Sequence, residues 1–506
     1  MAILNIQNLS VQHGSKTILS NLSFAVTPGE GWAIRGESGS GKTTLAKAIA
    51  GKIKYSGKID THFNTDSELP AQILFVESWY QFTNLEGDRN FYYQQRYNHQ
   101  QRRDTITVAR ELELYGKENN LFDPRAPLSE FIPQGGREGS GSLSASRRMR
   151  SGLLNALITT FDYHKVLDEQ LFEISSGEHK KLQLIKALWL SPQLLIIDQP
   201  YTGLDADSRA VLNQLLKDYI QKGGTLLLLS NDTVLPDCIS HFVTLSESKI
   251  ILGEAVVNPS QKALRPLPDF LRVPPQYTSQ NLISMKNVHV RYDDKYVLTN
   301  ISWEVNAGER WLLQGHNGSG KSTLLSLITA DHPQAYANDI KLFGVQRGGG
   351  ESIWDIKKRM GLISPELHWY FDNNATVSQS LASGFFDSNG QYQQLRYAQK
   401  QQLNELLHFL ELYDVNDQLL NTLPLGKQRL ALLGRTIIKN PQLLVLDEPC
   451  QGLDQQQTQY FNDLVDAISN NGVTIIYVGH FEAQLPKRIT HKLVLENGNI
   501  KQAGIT

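Results

Sequence analysis

The chain has 506 residues, 49 Lys and Arg against 51 Asp and Glu, and a formal net charge of −2, which argues against a whole-surface electrostatic grip on nucleic acid. At about 150 residues per domain, this length fills roughly three domains and buries sizeable cores. Two cysteines, Cys238 and Cys450, exclude a disulfide framework or a four-cysteine metal site within the chain, and no apolar run approaches a membrane span.

Residues 1–25 hold no basic segment followed by an apolar core, so no signal peptide is read there and a cytoplasmic protein is expected. The first recognisable element is Ser20-Asn-Leu-Ser-Phe-Ala-Val-Thr-Pro-Gly-Glu30, which leads into the short apolar run Trp32-Ala-Ile. Gly36-Glu-Ser-Gly-Ser-Gly-Lys42-Thr43 follows, and then a helix-compatible stretch, Leu45–Ala50. Strand, glycine-rich loop and helix in that order are the context a phosphate-binding loop needs. Gly36, Gly39 and Gly41 let backbone N–H groups turn inward around phosphate oxygens. Lys42 would reach the β/γ-phosphates and Thr43 would ligate Mg²⁺, with Thr44 beside it in the nucleotide site.

Between 80 and 150 the sequence changes character. Phe91–Arg103 interleaves aromatics with Gln and Arg, and Gln134–Arg150 is Gly/Ser-rich with several arginines, a linker-like composition. The aromatics suit packing of a helical subdomain or stacking on bases, and the basic run suits a solvated loop or a phosphate backbone. Next come Ile174-Ser175-Ser176-Gly177-Glu178, then Pro192-Gln-Leu-Leu-Ile-Ile-Asp198, whose buried-strand pattern ends on a carboxylate able to hold magnesium through water, then Thr202-Gly-Leu-Asp205. Residues 256–281 carry five prolines without a clear period and read as an extended linker between domains 1–255 and 282–506.

The second half repeats the first. Gly315-His-Asn-Gly-Ser-Gly-Lys321-Ser322 restates the loop 279 residues on, adding Asn317, Gly318, Gly320 and Thr323 to the nucleotide-site candidates. Pro441-Gln-Leu-Leu-Val-Leu-Asp447 restates the strand 249 residues on, so the first half carries a net 30 extra residues between the two points, placed within 80–150. Apolar runs alternating with helical stretches predict an α/β core with a largely parallel sheet. Ser322 and Asp447 are the second pair of magnesium candidates.

The order of loop, Ser-x-Gly segment, strand-end Asp and Gly-Leu-Asp resembles the ATP-binding cassette (ABC) ATPases over both halves. The resemblance implies an α/β chain of two tandem P-loop NTPase domains, each with a RecA-like core, a helical subdomain and an antiparallel β subdomain, using ATP and Mg²⁺. It implies an intramolecular head-to-tail pair in which each ATP lies between one cassette's phosphate loop and the other's signature segment. The signature matches are Ile174–Glu178 and Leu423-Pro424-Leu425-Gly426-Lys427. The aromatic that stacks on adenine in the family falls on Tyr292 in the second half and on His13 in the first. Within the family, Leu324–Gly344 and Glu351–Lys358 are similar to a ModF-type group of tandem ATP-binding proteins associated with molybdate transport or photorepair.

The departures from the family pattern fall unevenly. The general-base position holds Glu448 in the second half and Gln199 in the first, and an amide cannot take a proton from water. The histidine position at the γ-phosphate holds His480 and Asn231. The signature serine is Ser175 in the first half and Pro424 in the second, and proline offers neither hydroxyl nor N–H. With head-to-tail pairing, one site collects Gln199, Asn231 and Pro424. The other keeps Lys321, Ser322, Asp447, Glu448, His480, Ser175 and Gly177, and is the one expected to hydrolyse ATP. The position of the family's magnesium-contacting glutamine falls on Glu77 or Ser78, and on Pro365 or Glu366. Three classes of activity remain open. The chain is read first as the ATPase component of a transport system, peripheral on the inner face of the plasma membrane and docked on separate permease subunits. The others are a soluble ATPase acting on nucleic acid or ribosomes through the 80–150 insertion, and an ATP-gated interaction switch.

Overall fold

The computed structural model describes residues 2–506 except 15, 38, 66, 68, 79, 81–104, 122–144, 233, 247, 254–262, 278, 293–294, 366–373, 389–392 and 480–484. The chain forms two compact units, the first ending at Asn258 and the second running Pro259–Thr506. Most of the 80–150 insertion lies outside the described residues. Among the described residues no helix is long and apolar enough to cross a membrane.

The first unit opens with a hairpin, β1 (Leu4–His13) and β2 (Lys16–Val26), and its strand alternation decides which face is buried. Leu4, Ile6, Leu9 and Val11 of β1 face the core while Gln7 and Asn8 face outward. The phase slip between Ile6 and Leu9 coincides with a bulge in the β1–β2 register and with Asn8 in the left-handed region (φ 52°). β3 (Gly31–Gly36) enters the phosphate loop and α1 (Lys42–Ile49) leaves it. β4 (Ser56–Thr61) completes a three-stranded antiparallel sheet with the hairpin. The main sheet adds β5 (Ile73–Val76), β6 (Leu194–Asp198), β7 (Thr225–Leu229), β8 (His241–Ser246) and β9 (Lys249–Leu252), in the order β5-β6-β7-β3-β8-β9. All but β9 are parallel. Every residue of β6 and β7 is buried, because a parallel strand covered on both faces reads as an unbroken apolar run rather than an alternating one.

On one side of this sheet α2 (Val108–Glu118), α3 (Ala145–Thr160), α4 (Ser176–Leu190) and α5 (Ala206–Gln221) share a core. It joins Val108 and Leu112, Leu154 and Ile158, Leu182 and Trp189, and Leu212 and Leu216. α2 and α3, the described helices that begin within 80–150, thus pack against the helix that begins with the signature segment.

The second unit repeats the plan. β10 (Asn281–Tyr292) and β11 (Lys295–Asn306) form the hairpin, β12 (Arg310–Gln314) and α7 (Lys321–Ile328) flank the loop, and β13 (Asp339–Leu342) and β14 (Val345–Gln346) extend the antiparallel sheet. β15 (Met360–Ile363), β16 (Leu443–Asp447), β17 (Thr474–Val478), β18 (His491–Glu496) and β19 (Asn499–Ile505) join β12 in the order β15-β16-β17-β12-β18-β19. Ile34 pairs with Leu229 and Leu313 with Val478, so the two sequence offsets meet in one register. Val76 and Ile363 also occupy matching places, opposite Ile197 and Leu446. Their separation of 287 divides the net difference of 30 into 38 extra residues in the first unit after Val76 and 8 extra in the second before Ile363.

Residues 263–277, inside the Pro-rich stretch, lie along the second unit. Leu264, Leu267, Phe270 and Leu271, around the short helix α6 (Asp269–Arg272), pack on its helical core. The amide groups of Asn440 and Gln442 donate to Val273 O (2.9 Å) and Gln276 O (2.6 Å).

Both units share a polar staple below the loop strand. Glu309 accepts from the Trp311 indole N–H (2.8 Å) and the Asn306 N–H (2.9 Å), and Trp311 stacks on His491 at 4.8 Å. Glu30, Trp32 and His241 repeat the arrangement, with stacking at 4.6 Å. Burial pushes the Glu309 carboxyl up, but the hydrogen bonds from Asn306 and Trp311 and the nearby His491 outweigh it, and the net shift is downward from the ordinary value near 4.5. A carboxylate held below its unfolded value stabilises the fold above that value, and the contribution is lost as pH falls through the folded one. Glu309→Ala strands a buried indole N–H and is expected to cost about 2 kcal/mol. Denaturant unfolding should show that loss at pH 7, with variant and wild type converging as pH falls below about 4.5.

Candidate functional site

Each phosphate loop is wedged between its sheet and its hairpin. A Cβ on Gly36 would run into the carbonyl oxygen of Leu245, and one on Gly315 would come within 2.6 Å of Leu495 O. Gly41 and Gly320, the residues before α1 and α7, sit in the left-handed region (φ 100° and 99°). A Cβ there would meet Leu19 Cδ2 at 2.6 Å and Leu298 Cδ2 at 2.7 Å. Only glycine fits these places, and the resulting turn aims the first backbone N–H groups of each helix into the loop, where an anion gains most.

The lysines lie inside this turn. Lys42 Nζ donates to Gly36 O (2.5 Å) and Glu37 O (3.0 Å), and Lys321 Nζ to Gly315 O (2.7 Å) and His316 O (3.0 Å). Thr43 Oγ1 donates to Asp198 Oδ2 at 2.6 Å, which joins the loop threonine to the end of β6. Ser78, just past β5, also hydrogen-bonds the Asp198 carboxylate. Burial raises the Asp198 carboxyl, opposed by the two hydroxyls and by the Lys180 and Lys42 ammonium groups. A hydroxyl and a carboxylate side by side, with cationic neighbours and a loop of N–H donors, is an oxygen donor set that fits a small hard cation such as Mg²⁺ shared with phosphate.

Gln199 and Glu448 stand at the same backbone position. Each follows the strand-end Asp, each has φ in the left-handed region (51° and 43°), and each donates its N–H to the adjacent strand, to Leu229 O and Val478 O. The Glu448 carboxylate accepts from Gln451 Nε2 at 3.1 Å. In the first unit Asn231 Oδ1 accepts the Gly36 N–H at 3.1 Å, tying the strand-end loop after β7 to the start of the phosphate loop. His480 and Glu366 lie outside the described residues, as do the side chains of His13, Arg147, Arg148 and Arg150. Ser78 and Pro365 are the matching residues past β5 and β15, two positions after Val76 and Ile363.

The signature segments begin helices in different ways. Ser175 is the N-cap of α4, and its hydroxyl and N–H both bond Glu178 Oε2 (2.7 and 2.6 Å) in a capping box. Pro424 is the N-cap of the helix Leu425–Ile437, with no side-chain cap. Gly177 and Gly426 are buried in the first turns, the latter against the Gln457 amide.

Tyr292 ends β10. Val290 of that strand pairs with Leu298, whose side chain touches Gly320, so the ring stands two residues along the hairpin from the phosphate loop. Thr44 and Thr323 occupy the first turns of α1 and α7, and Asn317 O lies 2.8 Å from His316 Nδ1. Cys450 is partly buried against the helical core, desolvation pushes its thiol up to about 12, and the sulfur accepts from Tyr477 Oη at 3.4 Å, so it is a packing residue rather than a nucleophile.

A family model described as "ABC transporter" matches residues 19–202 and 298–451, two thirds of the chain and both phosphate loops. The chain belongs to the ABC transporter family. It is 34% identical over 501 residues to the ABC transporter ATP-binding protein ModF of Escherichia coli, covering 93% of this chain and 92% of that one. An uncharacterized ABC transporter ATP-binding protein of Schizosaccharomyces pombe is 29% identical, with 96% of both chains covered. A Saccharomyces cerevisiae relative described in the same words is 28% identical over 68% of this chain and 72% of its own.

Beyond the motifs, each cassette carries a buried cation on the signature helix. Lys180 Nζ donates to Asp198 O (3.1 Å) and Glu77 O (3.4 Å), bridging the end of β6 and the residue after β5 behind the Asp198 carboxylate. Its partner 249 residues on is Arg429, fully buried, with Nη2 toward Gln451 O at 3.5 Å. The signal was there to read, since both cations follow the signature by the same interval.

Burial lowers the Lys180 ammonium to about 7, a shift the Asp198 charge opposes. Because the unfolded lysine holds its proton up to its ordinary value near 10.5, the charged form costs the fold stability below about 7 and that cost is relieved as pH rises between the two values. Lys180→Met should therefore flatten the climb in stability between pH 7 and 10, measured by denaturant unfolding at each pH.

Proposed function

We propose that this cassette pair binds ATP at both phosphate loops and hydrolyses it at one composite site. In this reading the second cassette's loop works with the first cassette's signature, and the other combination binds nucleotide without turning it over. The observation that carries the proposal is the identity of residues 199 and 448 in backbone and their difference in head group. A carboxylate at 448 can take the proton of an attacking water, and the amide of Gln199 cannot.

At the active site Lys321 exchanges its bonds to Gly315 O and His316 O for phosphate oxygens, while the N–H groups of the loop and of α7 bind the rest of the charge. Bound Mg²⁺ would be held by Ser322 and, through water, Asp447, and would neutralise charge on the β- and γ-phosphates. Glu448, oriented by Gln451, orients the water and accepts its proton. His480 senses the γ-phosphate. Ser175 and Gly177 close the site from the other cassette, the serine giving up part of its capping box to do so. At the other site Lys42, Thr43 and Asp198 remain, but Gln199 and Pro424 supply neither base nor hydroxyl. Asn231, bonded to Gly36 N, serves as a fixed strut there. ATP bound at that site holds the cassettes together.

We further propose that hydrolysis powers a transport system whose membrane subunit is a separate chain. Support for this comes from the likeness to ModF over 93% of the chain. A soluble role is the second reading, and one observation favours it. The position through which cassettes of transporters contact their membrane partners holds Ser78, whose hydroxyl is spent on Asp198, and Pro365. Isolation from native membranes and cytosol separates the two: a co-purifying membrane protein supports transport, and nucleic acid or ribosomes would replace it with the soluble role.

Losing a positioned general base costs about 10²–10⁴ in rate. Glu448→Gln should lower steady-state ATP turnover by at least about a hundredfold while nucleotide binding persists. Gln199→Glu alone should restore little at its own site, because Asn231 and Pro424 still stand in it. A Glu448→Gln protein keeping half its turnover would end the one-active-site reading.

A further inference from the structure

The second unit carries a segment between α7 and β13 that the hydrolytic machinery does not use. Backbone pairing of β10 with β13 stops at Lys286 and Asp339. Beyond that point side chains continue the ladder. Asn338 Oδ1 accepts the His289 N–H and its amide donates to His289 O, both at 2.9 Å. Gln334 does the same at Arg291, accepting its N–H (3.1 Å) and donating to its carbonyl (2.7 Å). Two carboxamides thus reproduce the backbone's own two-bond pattern at every second residue, 289 and then 291, and pin residues 334–338 to the strand that ends in Tyr292. In the first unit the equivalent strand pair continues by backbone, to Ser10 and Ser56.

His332 stands at the end of this ladder. It is almost wholly buried, and its Nδ1 accepts the Gln334 N–H at 3.1 Å. A neutral imidazole that accepts at Nδ1 carries its proton on Nε2. Nε2 lies 2.7 Å from the Tyr292 hydroxyl, so it donates to the phenol oxygen. The ring planes meet at 62° with centroids 5.8 Å apart, so the imidazole meets the phenol at its edge and hydroxyl rather than covering its face. A buried, backbone-fixed donor at the far end of a tyrosine removes the freedom of the ring to swing about χ1 and χ2, freedom a base-stacking platform would otherwise lose on binding.

We infer that His332, anchored by the Gln334–Asn338 carboxamide ladder, is a positioning residue that holds the Tyr292 ring ready to stack on the adenine of ATP at the second phosphate loop. This rests on the reading of Tyr292 as the base-contacting residue. His332 acts through the tyrosine and touches no phosphate, so its effect belongs to the base end of the ligand alone.

The test uses the full chain in a Lys42→Ala background, so that calorimetric titration reports the second loop. His332→Ala should weaken ATP about 3- to 10-fold, the worth of one hydrogen bond, and leave the affinity for tripolyphosphate, which has no base, where it was. Tyr292→Phe, which keeps the ring and removes the hydroxyl, should match it, and His332→Ala added to Tyr292→Phe should weaken ATP no further. An equal loss of tripolyphosphate would show that His332 merely supports the fold, and would overturn the inference. If Tyr292→Ala weakens ATP while His332→Ala does not, the positioning role falls and the base contact stands. If Tyr292→Ala leaves ATP affinity unchanged, the base contact itself is wrong and the inference falls with it.

Discussion

Everything in each cassette hangs on one steric constraint, the absence of a side chain where the phosphate loop passes between sheet and hairpin. Gly36 and Gly315 pass under a carbonyl of the neighbouring strand, and Gly41 and Gly320 pass against a leucine of the hairpin. Replacing any of them would push the loop off the sheet, and the helix that follows would lose its aim. The constraint explains why the antiparallel hairpin packs on the glycine-rich loop. Leu19 and Leu298, on β2 and β11, hold the loop from the outside, and the strands paired with them, β1 and β10, end on residues 13 and 292. Packing and chemistry are the same contacts seen from two sides.

Because the frame is steric, it survived duplication intact while the chemistry on it diverged. The parallel registers, the Glu–Trp–His staple and the left-handed residue after each strand-end Asp occur in both units. The differences sit on side chains that the frame merely holds out: Gln199 against Glu448, Ser175 against Pro424. Pro424 costs its helix little, since an N-cap has no intrahelical N–H bond to lose. Ser175 does bond locally, to Glu178, so the first unit's signature helix is better capped than the second's.

Much of this was legible in the sequence because the duplication doubles every signal. The loops and the strand-end carboxylates could each be checked against a copy, and unbroken runs such as Leu194–Ile197 announced parallel strands. What escaped reading has physical reasons. The net offset of 30 concealed two changes of opposite sign, because only strand register fixes Val76 against Ile363. The match of Ser78 with Pro365 needed the same register. Residues 263–277 read as linker because prolines broke their period, yet Leu264, Leu267 and Leu271 keep a helical spacing that packs. His332 lay inside a stretch matched to the family without any role of its own; its place is set by carboxamides that copy a β-ladder, a use of Gln and Asn that no hydrophobic pattern records.

The backbone at residues 199 and 448 carries a last point about strain and activity. A side-chain-bearing residue in the left-handed region costs on the order of 1 kcal/mol or more, and such strain collects at active sites. Here the strained conformation occurs in both cassettes, over a glutamate in one and a glutamine in the other. Its cause is local and shared: the N–H of each residue turns back to the carbonyl of the adjacent strand, Leu229 or Val478, just as the parallel pairing ends. The turn belongs to the sheet's termination and would persist with any head group. Strain therefore marks where chemistry can be mounted, and the carboxylate or amide at its tip decides whether a proton can be taken there.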